Sequence, residues 1–524
     1  MTSPLARRGV PVVAALALAL ATAGALAAPA AASPTASTSA GHEIARLANA
    51  DDSPGPGPDA GIEAVLDREL PASGAPGVAY AVVTDGELSA VGARGVAELG
   101  SGRTLADDTP FSIGSVTKSV TAVAILQLVE AGEVDLDASF ARYLPAFAGG
   151  PAEPVTVRQL LGHTSGYSTL QGNTSHAGGS GSDALARAVD ALASTAPANP
   201  PGERWEYSNT NYQILGRLIE VVSGEDYAGY VTAHVLEPIG MRDSFVADGA
   251  VHDEAATGHR PWFFGRLALR DRATDRATAP QGGVWASARD LARYLGVLMN
   301  GRDDVLSAAD KALMTRPASA VSPFYGLGWF LDDTDGTVGH DGSTPGFESL
   351  ATMLPAQNRA VVVLVNAGSG IGFGETLALR EAVTAEGLGL AAPAQPSRLG
   401  QQALFVGLLA LPLFYLAVAA WAIAHRDALR AKRRGGAAGW FSLLFPVLTT
   451  AVAAWVIVEL VPSMLGAPLG TLARFQPDLG VALVASAVLG VAWAVLRLVL
   501  ALTGRAPAPD APATDAPVPR PSTA

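Results

Sequence analysis

The sequence predicts an α+β domain over residues 61–392, followed by three helices that span a membrane. Strand-like segments lie near both ends of this region, at 77–83 and 360–365, and helical segments lie between them. Strands at both ends can pair in one sheet, with the intervening helices packed beside it. Long apolar runs follow the domain, and the whole chain is 49% hydrophobic but only 16% charged. That composition indicates membrane segments.

Composition also excludes several kinds of site. The net charge is −13, so there is no basic surplus to neutralise phosphates, and we expect no nucleic-acid partner. The chain has no cysteine, which excludes thiol nucleophiles, thiolate metal sites and disulfides. There is no H-E-x-x-H motif, and apart from His252 and His259 on a loop the histidines lack the spacing of metal ligands. We therefore expect neither a metal nor a cofactor.

The N-terminal segment is typical of a secretory signal peptide, over residues 1–32. Arg7 and Arg8 precede an apolar stretch, and small residues near its end offer cleavage sites. The alternative is an uncleaved anchor helix. Residues 33–60 are rich in Ser, Ala, Pro and Gly, which predicts a disordered linker.

Inside the domain, hydrophobic periodicity predicts both kinds of element. The predicted strands are 77–83, 88–92, 338–340, 349–354 and 360–365, and the predicted helices are 62–70, 154–161, 211–222, 288–299 and 375–385, with a further one after Ser115. Residues 171–200 form a Gly/Ser-rich insertion around one weak helix, and we expect it to be a mobile lid over a site.

The apolar runs at 403–424, 439–460 and 479–502 are each long enough to cross a bilayer. The loop between the first two, residues 425–438, is rich in Arg and Lys. By the positive-inside rule this loop is cytoplasmic, and so is the disordered tail at 505–524. The domain and the loop around Arg474 then lie outside. The role of three helices stays open, including a protein partner in the membrane.

One short pattern suggests chemistry: Ser115 and Lys118 are three residues apart. On a helix they would lie on one face, within reach of each other. No charged residue follows from 119 to 129, so Lys118 stands at the start of a buried helix. Desolvation lowers the pKa of a lysine, and the neutral amine can take the serine proton. In the structural alternative, Ser115 caps the helix and Lys118 extends to water.

Two later segments carry polar side chains at the ends of elements. Tyr207-Ser208-Asn209 precedes a predicted helix, where a plain helix cap is the alternative. Gly339-His340-Asp341-Gly342-Ser343 ends a predicted strand. Glycines there let the backbone approach a ligand and offer N–H donors, while an ordinary turn is the alternative.

In this order, S-x-x-K, Y-x-N and H-x-G resemble the serine β-lactamase and penicillin-binding protein superfamily, closest to its class C β-lactamase, D-aminopeptidase and esterase branch. The stretches 160–166, 281–291 and 325–329 are also similar to that family. The resemblance covers about residues 60–390. It implies an antiparallel sheet flanked by helices, with an all-helical subdomain.

The resemblance also implies roles for the residues. Ser115 would be the acylated nucleophile, and Lys118 and Tyr207 would share the proton transfer, with the choice of base left open. Asn209 would hold Lys118 and the acyl amide of a substrate. The backbone N–H groups of Ser115 and Ser343 would form the oxyanion hole.

His340 is the departure from the family pattern, because many β-lactamases and transpeptidases have lysine there. A histidine is mostly neutral at pH 7, whereas lysine offers a fixed charge for a substrate carboxylate. The substitution argues against an efficient β-lactamase and suits esterases and some D-amino-acid peptidases of the same branch.

Together these observations predict a membrane-anchored, extracytoplasmic serine hydrolase that works through an acyl-enzyme. Its substrates would be cell-wall D-amino-acid peptides, as for a DD-carboxypeptidase or D-aminopeptidase, or small esters and amides. Two alternatives remain: a receptor that a β-lactam or a wall fragment acylates without turnover, and a true class C-type β-lactamase.

Overall fold

The structure is a computed structural model that describes residues 58–174, 179–270 and 273–504. The predicted signal peptide (1–32), most of the predicted linker (33–60) and the predicted cytoplasmic tail (505–524) lie outside the described residues.

The chain divides into two compact units. The first, which we call the catalytic unit because it holds all the predicted site residues, runs to Phe405 and also includes Pro462–Gly480. The second holds Val406–Val461 and the residues from Val481 onward.

The strands belong to three sheets in the catalytic unit. They are β1 (Gly77–Thr84), β2 (Glu87–Gly95), β3 (Phe111–Ser112), β4 (Phe245–Val246), β5 (Gly258–Trp262), β6 (Gly265–Leu269), β7 (Val284–Ala286), β8 (Phe330–Asp332), β9 (Thr337–Thr344), β10 (Phe347–Leu354) and β11 (Arg359–Val365).

The α-helices lie between and after the strands. Those before residue 398 are α1 (Pro58–Ser73), α2 (Thr117–Glu130), α3 (Val157–Leu161), α4 (Thr169–Thr174), α5 (Ala184–Asp190), α6 (Asn209–Ser223), α7 (Tyr227–Val231), α8 (Glu237–Ile239), α9 (Ala279–Gly282), α10 (Ala288–Met299), α11 (Ala308–Met314) and α12 (Leu377–Leu388). Those after it are α13 (Leu399–Ala424), α14 (Arg426–Ala431), α15 (Gly436–Trp455), α16 (Val461–Met464), α17 (Leu469–Phe475) and α18 (Pro477–Leu502).

The main sheet has six strands in the order β2-β1-β11-β10-β9-β8. Every neighbouring pair is antiparallel. The first and the last strand of the sequence are neighbours at its centre, where Tyr80 stands opposite Val363. The predicted α+β class, with an antiparallel sheet formed by strands from both ends of the domain, is confirmed.

The central strands are buried on both faces. Side chains of a strand alternate between the faces of its sheet. Ala79 and Ala81 belong to the core shared with α2, α6 and α10, whereas Val78, Tyr80 and Val82 belong to a second core with α1 and α12. Two apolar faces explain why β1 is a continuous hydrophobic run rather than an alternating one.

Helix α2 is the buried helix of the catalytic unit. All residues from Thr117 to Leu126 are buried, as the absence of charge after Lys118 predicts. A 3₁₀ turn, Gly114–Val116, precedes it, and β9 packs against this turn. Two of the three chemistry-bearing segments, those that hold Ser115 and His340, therefore meet beside the start of α2.

Several predicted boundaries are wrong for local reasons. Residues 58–60 were assigned to the linker but begin α1, since proline suits the first turn of a helix. The helix predicted over 154–161 starts only at Val157, because Thr156 and Gln159 form a capping box there. Ser115 lies in the 3₁₀ turn and not in the α-helix that holds Lys118.

The C-terminal region has three helices long and apolar enough to cross a membrane among the described residues: Leu399–Ala424, Gly436–Met464 and Pro477–Leu502. Their mean hydropathy is 2.4, 2.2 and 2.4. Each of them contains the whole of one predicted apolar run and extends a few residues beyond it. Large apolar side chains such as Leu413, Leu448 and Val488 are exposed along them, which suits a lipid environment.

A buried ion pair braces the strand next to β9. Glu348 of β10 stands opposite Ser343 of β9. The Glu348 carboxylate accepts hydrogen bonds from the Arg380 guanidinium at 2.8 Å and from Ser369, through its backbone N–H at 2.8 Å and its hydroxyl at 3.0 Å. Both charged side chains are buried.

We predict that Arg380→Met destabilises the catalytic unit by about 3–5 kcal/mol, because it leaves the Glu348 carboxylate buried without its cation. Urea unfolding of the full chain in detergent, followed by tryptophan fluorescence, measures this change. Arg302→Met is the control, since Arg302 is exposed, and it should cost no more than about 0.5 kcal/mol. Equal losses for the two variants would contradict the predicted role of the buried pair.

Candidate active site

The turn that carries Ser115 is held by close contact with β9. Gly114 has a φ of +51°, and a Cβ there would lie 2.6 Å from the backbone nitrogen of Ser343. Glycine is therefore required both for the backbone conformation and for the approach of the strand. The contact brings the backbone of Ser343 alongside the residue that precedes Ser115.

Lys118 is fully buried and bonded to Ser115. Its Nζ donates to the Ser115 hydroxyl at 2.9 Å and to the backbone carbonyl of Gln281 at 2.8 Å. It also lies 4.8 Å from the centre of the Tyr207 ring. Helix α2 has no side-chain cap at its start. The structural alternative, a Ser115 cap and a lysine that extends to water, does not describe this arrangement.

Burial lowers the pKa of Lys118 to about 7, and the nearby Asp341 carboxylate opposes this shift only in part. At neutral pH a large fraction of the amine is therefore uncharged. A neutral amine keeps one lone pair and two N–H groups. It can accept the proton of Ser115 while it still donates to the Gln281 carbonyl.

The Tyr207 hydroxyl is buried beside Ser115. Burial raises the pKa of Tyr207 well above its ordinary value, and the Ser115 hydroxyl opposes the shift. No residue in the described part of the chain makes a hydrogen bond of acceptable geometry with the Tyr207 oxygen. A protonated phenol with its O–H unsatisfied is ready to donate to an atom of a substrate.

His163 positions the segment that carries Tyr207. Its ring packs on the Tyr207 ring at a centroid distance of 4.3 Å. Its Nδ1 accepts the backbone N–H of Ser208 at 3.2 Å and lies 3.0 Å from the side-chain amide of Asn211. Burial lowers the pKa of His163 well below its ordinary value, so the ring stays neutral and Nδ1 stays an acceptor.

His340 lies inside the protein rather than at the surface of the site. Its Nδ1 is 2.5 Å from the backbone oxygen of Asp341, and its Nε2 is 3.3 Å from the Tyr325 hydroxyl. Burial lowers the pKa of His340 to about 4, with Asp341 opposing the shift and Lys118 adding to it. The ring is therefore neutral at pH 7 and provides no cation for a substrate.

The end of β9 is pressed against the segment before Ser115. A Cβ on Gly342 would lie 2.0 Å from the backbone oxygen of Ile113, so glycine is needed at this position. The Thr344 hydroxyl donates to the Ser112 hydroxyl at 2.9 Å. The two amides assigned to the oxyanion hole, those of Ser115 and Ser343, thus lie on segments in direct contact.

Asn209 does not make the expected contact with Lys118. Its side-chain amide donates to Asn173 at 3.1 Å, whereas Lys118 makes its hydrogen bonds with Ser115 and Gln281. Asn173 and the Gln281 carbonyl were not identified from the sequence. Asn173 lies in the Gly/Ser-rich insertion without a motif around it, and a backbone carbonyl has no sequence signature.

A cavity of about 420 Å³ opens above these residues. Ser115, Asn209 and Ser343 line its floor, and Trp285 and Phe347 provide apolar wall. This volume is typical of a small-molecule site. The structure thus brings together all the predicted site residues, with Lys118, Tyr207 and His340 buried around the nucleophile.

We predict that Lys118→Met changes how stability depends on pH. Between pH 7 and about 10.4 an unfolded lysine binds a proton and the buried one does not, so the stability of the wild type should rise with pH. The rise attributable to Lys118 is at most about 5 kcal/mol, at about 1.4 kcal/mol per pKa unit. Urea unfolding of both full chains at several pH values measures it. Parallel curves for the two proteins would contradict the lowered pKa.

Comparisons with known proteins identify the family of the chain. The family model described as Beta-lactamase matches residues 62–386. Penicillin-binding protein 4 of Amycolatopsis lactamdurans is 35% identical over 299 residues, which cover 52% of this chain and 76% of that protein.

Two solved structures show the same fold. The octameric penicillin-binding protein homologue from Pyrococcus abyssi has a TM-score of 0.55 at 25% identity, and the match covers 63% of this chain and 77% of that one. A D-stereospecific amidohydrolase from Streptomyces sp. has a TM-score of 0.50 at 27% identity, covering 63% of this chain and 99% of that one. Because the family model covers more than half of the sequence, the chain belongs to the beta-lactamase family.

Proposed function

We propose that the protein is a serine hydrolase that forms an acyl-enzyme on Ser115. The observation that carries the proposal is the buried Lys118 amine, 2.9 Å from the Ser115 hydroxyl at the floor of the cavity. Water is excluded from the amine, which lowers its pKa to about 7 and provides a base at neutral pH.

In the first step the Ser115 oxygen attacks the carbonyl carbon of the substrate. Lys118 accepts the serine proton, the new C–O bond forms, and the carbonyl electron pair moves onto the oxygen. The backbone N–H groups of Ser115 and Ser343 stabilise that oxyanion. Lys118 is a better base than Tyr207, because burial keeps the tyrosine protonated and makes the lysine neutral.

In the second step the carbonyl re-forms and the leaving group departs with a proton. The Tyr207 O–H donates that proton, and the Lys118 ammonium restores it to tyrosine. Water then attacks the ester carbonyl, with the same groups acting in reverse, and releases Ser115 and the carboxylic acid. Atoms and charge balance without any cofactor.

The substrates in this proposal are D-amino-acid peptides and amides, or small esters. Three observations support this class: a relative named as a penicillin-binding protein, a solved structure named as a D-stereospecific amidohydrolase, and a neutral His340 that offers no cation at the end of β9.

Membrane attachment is part of the proposal. The apolar helices α13, α15 with α16, and α18 would cross the cell membrane, and the basic loop at 425–438 would lie in the cytoplasm. The catalytic unit would then face outward, where cell-wall peptides are found.

We predict that the wild-type chain hydrolyses a D-Ala-D-Ala peptide or a p-nitrophenyl ester and is labelled covalently by a fluorescent penicillin. Ser115→Ala should abolish labelling and lower kcat/KM by about 10⁴-fold or more. Ser89→Ala is the control, since Ser89 is exposed on the distant strand β2. A wild type that neither turns over nor is labelled would refute the enzyme. Stable labelling without turnover would favour a receptor, and rapid penicillin hydrolysis would favour a β-lactamase.

We also predict that kcat/KM rises with pH along an acid limb with an apparent pKa near 7, because only neutral Lys118 can accept the serine proton. Initial rates between pH 5 and 9 with a non-ionising ester test this.

The control for this profile is His252→Gln. His252 is a second titratable group in the lining of the cavity; burial lowers its pKa, but the Asp248 and Glu254 carboxylates raise it by more, so the net shift is upward. The acid limb should persist in the variant. Its disappearance would assign the limb to His252 instead.

A further inference from the structure

Residues Pro462–Gly480 join two apolar helices in the sequence but pack with the catalytic unit. We call this segment the connecting loop; it contains α17. An even number of apolar helices separates it from the catalytic unit along the chain. If all of them cross the membrane, the loop and the catalytic unit lie on the same side, whichever side that is.

Hydrogen bonds fix the connecting loop at one end to the floor of the site. The Asn173 side chain donates to the backbone oxygen of Gly466 at 2.7 Å, and the Thr471 hydroxyl donates to the backbone oxygen of Asn173 at 3.0 Å. Asn173 also accepts the amide of Asn209 at 3.1 Å. One side chain therefore links the loop to a residue that lines the catalytic cavity.

The other end of the loop is held by buried side chains. Asp478 accepts the backbone N–H of Phe263 at 2.7 Å, and Gln476 accepts that of Ile371 at 3.1 Å. Both Gln476 and Asp478 are buried. Contacts with three separate segments of the catalytic unit make the loop part of its structure.

Between these anchors, Thr471, Arg474 and Phe475 line the cavity that contains Ser115. The main chain at Arg474 is itself held, since its carbonyl accepts a hydrogen bond from Arg260 at 3.2 Å. The guanidinium of Arg474 is exposed and has no ion pair or hydrogen bond to any residue that the structure describes. It is thus a cation on the wall of the catalytic cavity.

The other cations of the lining are already engaged. Arg270 pairs with the Glu98 carboxylate at 2.5 Å, and Arg103 donates to two backbone carbonyls. Among the carboxylates of the cavity lining, Asp275 accepts hydrogen bonds from two backbone N–H groups. The side chain of Asp253 accepts no backbone N–H group within the described ranges. Arg474 is therefore the arginine of this lining that can bind an anionic ligand without losing an existing bond.

We propose that the connecting loop forms a wall of the active site and that Arg474 binds the carboxylate of the substrate. This inference rests on the proposed hydrolase function and assigns a determinant of its specificity. A planar guanidinium suits a carboxylate, with which it can form two parallel hydrogen bonds. His340, buried and neutral, does not compete for this role.

The experiment separates binding from turnover and uses the full chain in detergent at low salt. In the Ser115→Ala background, isothermal titration calorimetry compares N-acetyl-D-alanine, which carries a carboxylate, with N-acetyl-D-alaninamide, which does not. Adding Arg474→Gln should raise the Kd of N-acetyl-D-alanine by about 10-fold, as expected for the loss of one exposed charge-assisted contact. The Kd of N-acetyl-D-alaninamide should not change. Arg474→Lys should recover part of the loss. Arg302→Gln, which removes an exposed arginine outside the cavity, should change neither ligand.

Measurements of turnover provide a second test of the role of Arg474. A D-Ala-D-Ala peptide and its C-terminal amide are compared in the wild type and in Arg474→Gln, where kcat/KM should fall for the acid alone. No turnover by the wild type would refute the proposed function, and the calorimetry would still decide the role of Arg474. No binding of the carboxylate to the parent, equal binding by the parent and by Arg474→Gln, or equal weakening of both ligands would overturn the inference.

Discussion

The exclusion of water from the Lys118 amine is the constraint on which the rest of the site depends. A buried amine is unfavourable when charged, so its pKa falls and it becomes a base at neutral pH. The exclusion of water from the amine requires a helix buried on almost every side, aromatic rings packed around the amine, and an acceptor for the remaining N–H of the amine. Helix α2, the Tyr207 ring and the Gln281 carbonyl meet these needs. The favourable free energy of packing the surrounding core therefore offsets the unfavourable free energy of burying the Lys118 amine.

A second requirement is the close approach of two backbones. The turn at Gly114 and the end of β9 at Gly342 pack so tightly that neither position has room for a side chain. This packing places the amides of Ser115 and Ser343 on adjoining segments. The Glu348–Arg380 pair then braces β10, which holds β9 in register from the other side. The proposed oxyanion donors are thus fixed by the sheet rather than by a flexible loop.

Much of this arrangement could be predicted from local sequence. The apolar run at 77–83 predicted a strand, and the charge-free stretch after Lys118 predicted a buried helix. The three motifs predicted which side chains meet. What could not be predicted depends on tertiary contacts. Ser115 lies in a 3₁₀ turn because β9 presses on Gly114, and His340 turns inward because Tyr325 and Phe330 enclose it. Asn173 and the connecting loop carry no motif, and the contacts between them join residues almost 300 positions apart.

The order of the elements along the chain has a consequence for biosynthesis. In the main sheet β1 pairs with β11, so the sheet cannot close until nearly the whole domain has left the ribosome. The connecting loop is made later still, after two apolar helices. An unfinished chain therefore has Ser115 and Lys118 but an incomplete cavity, and the cavity lining is complete only once the first two apolar C-terminal helices and the connecting loop have been synthesised.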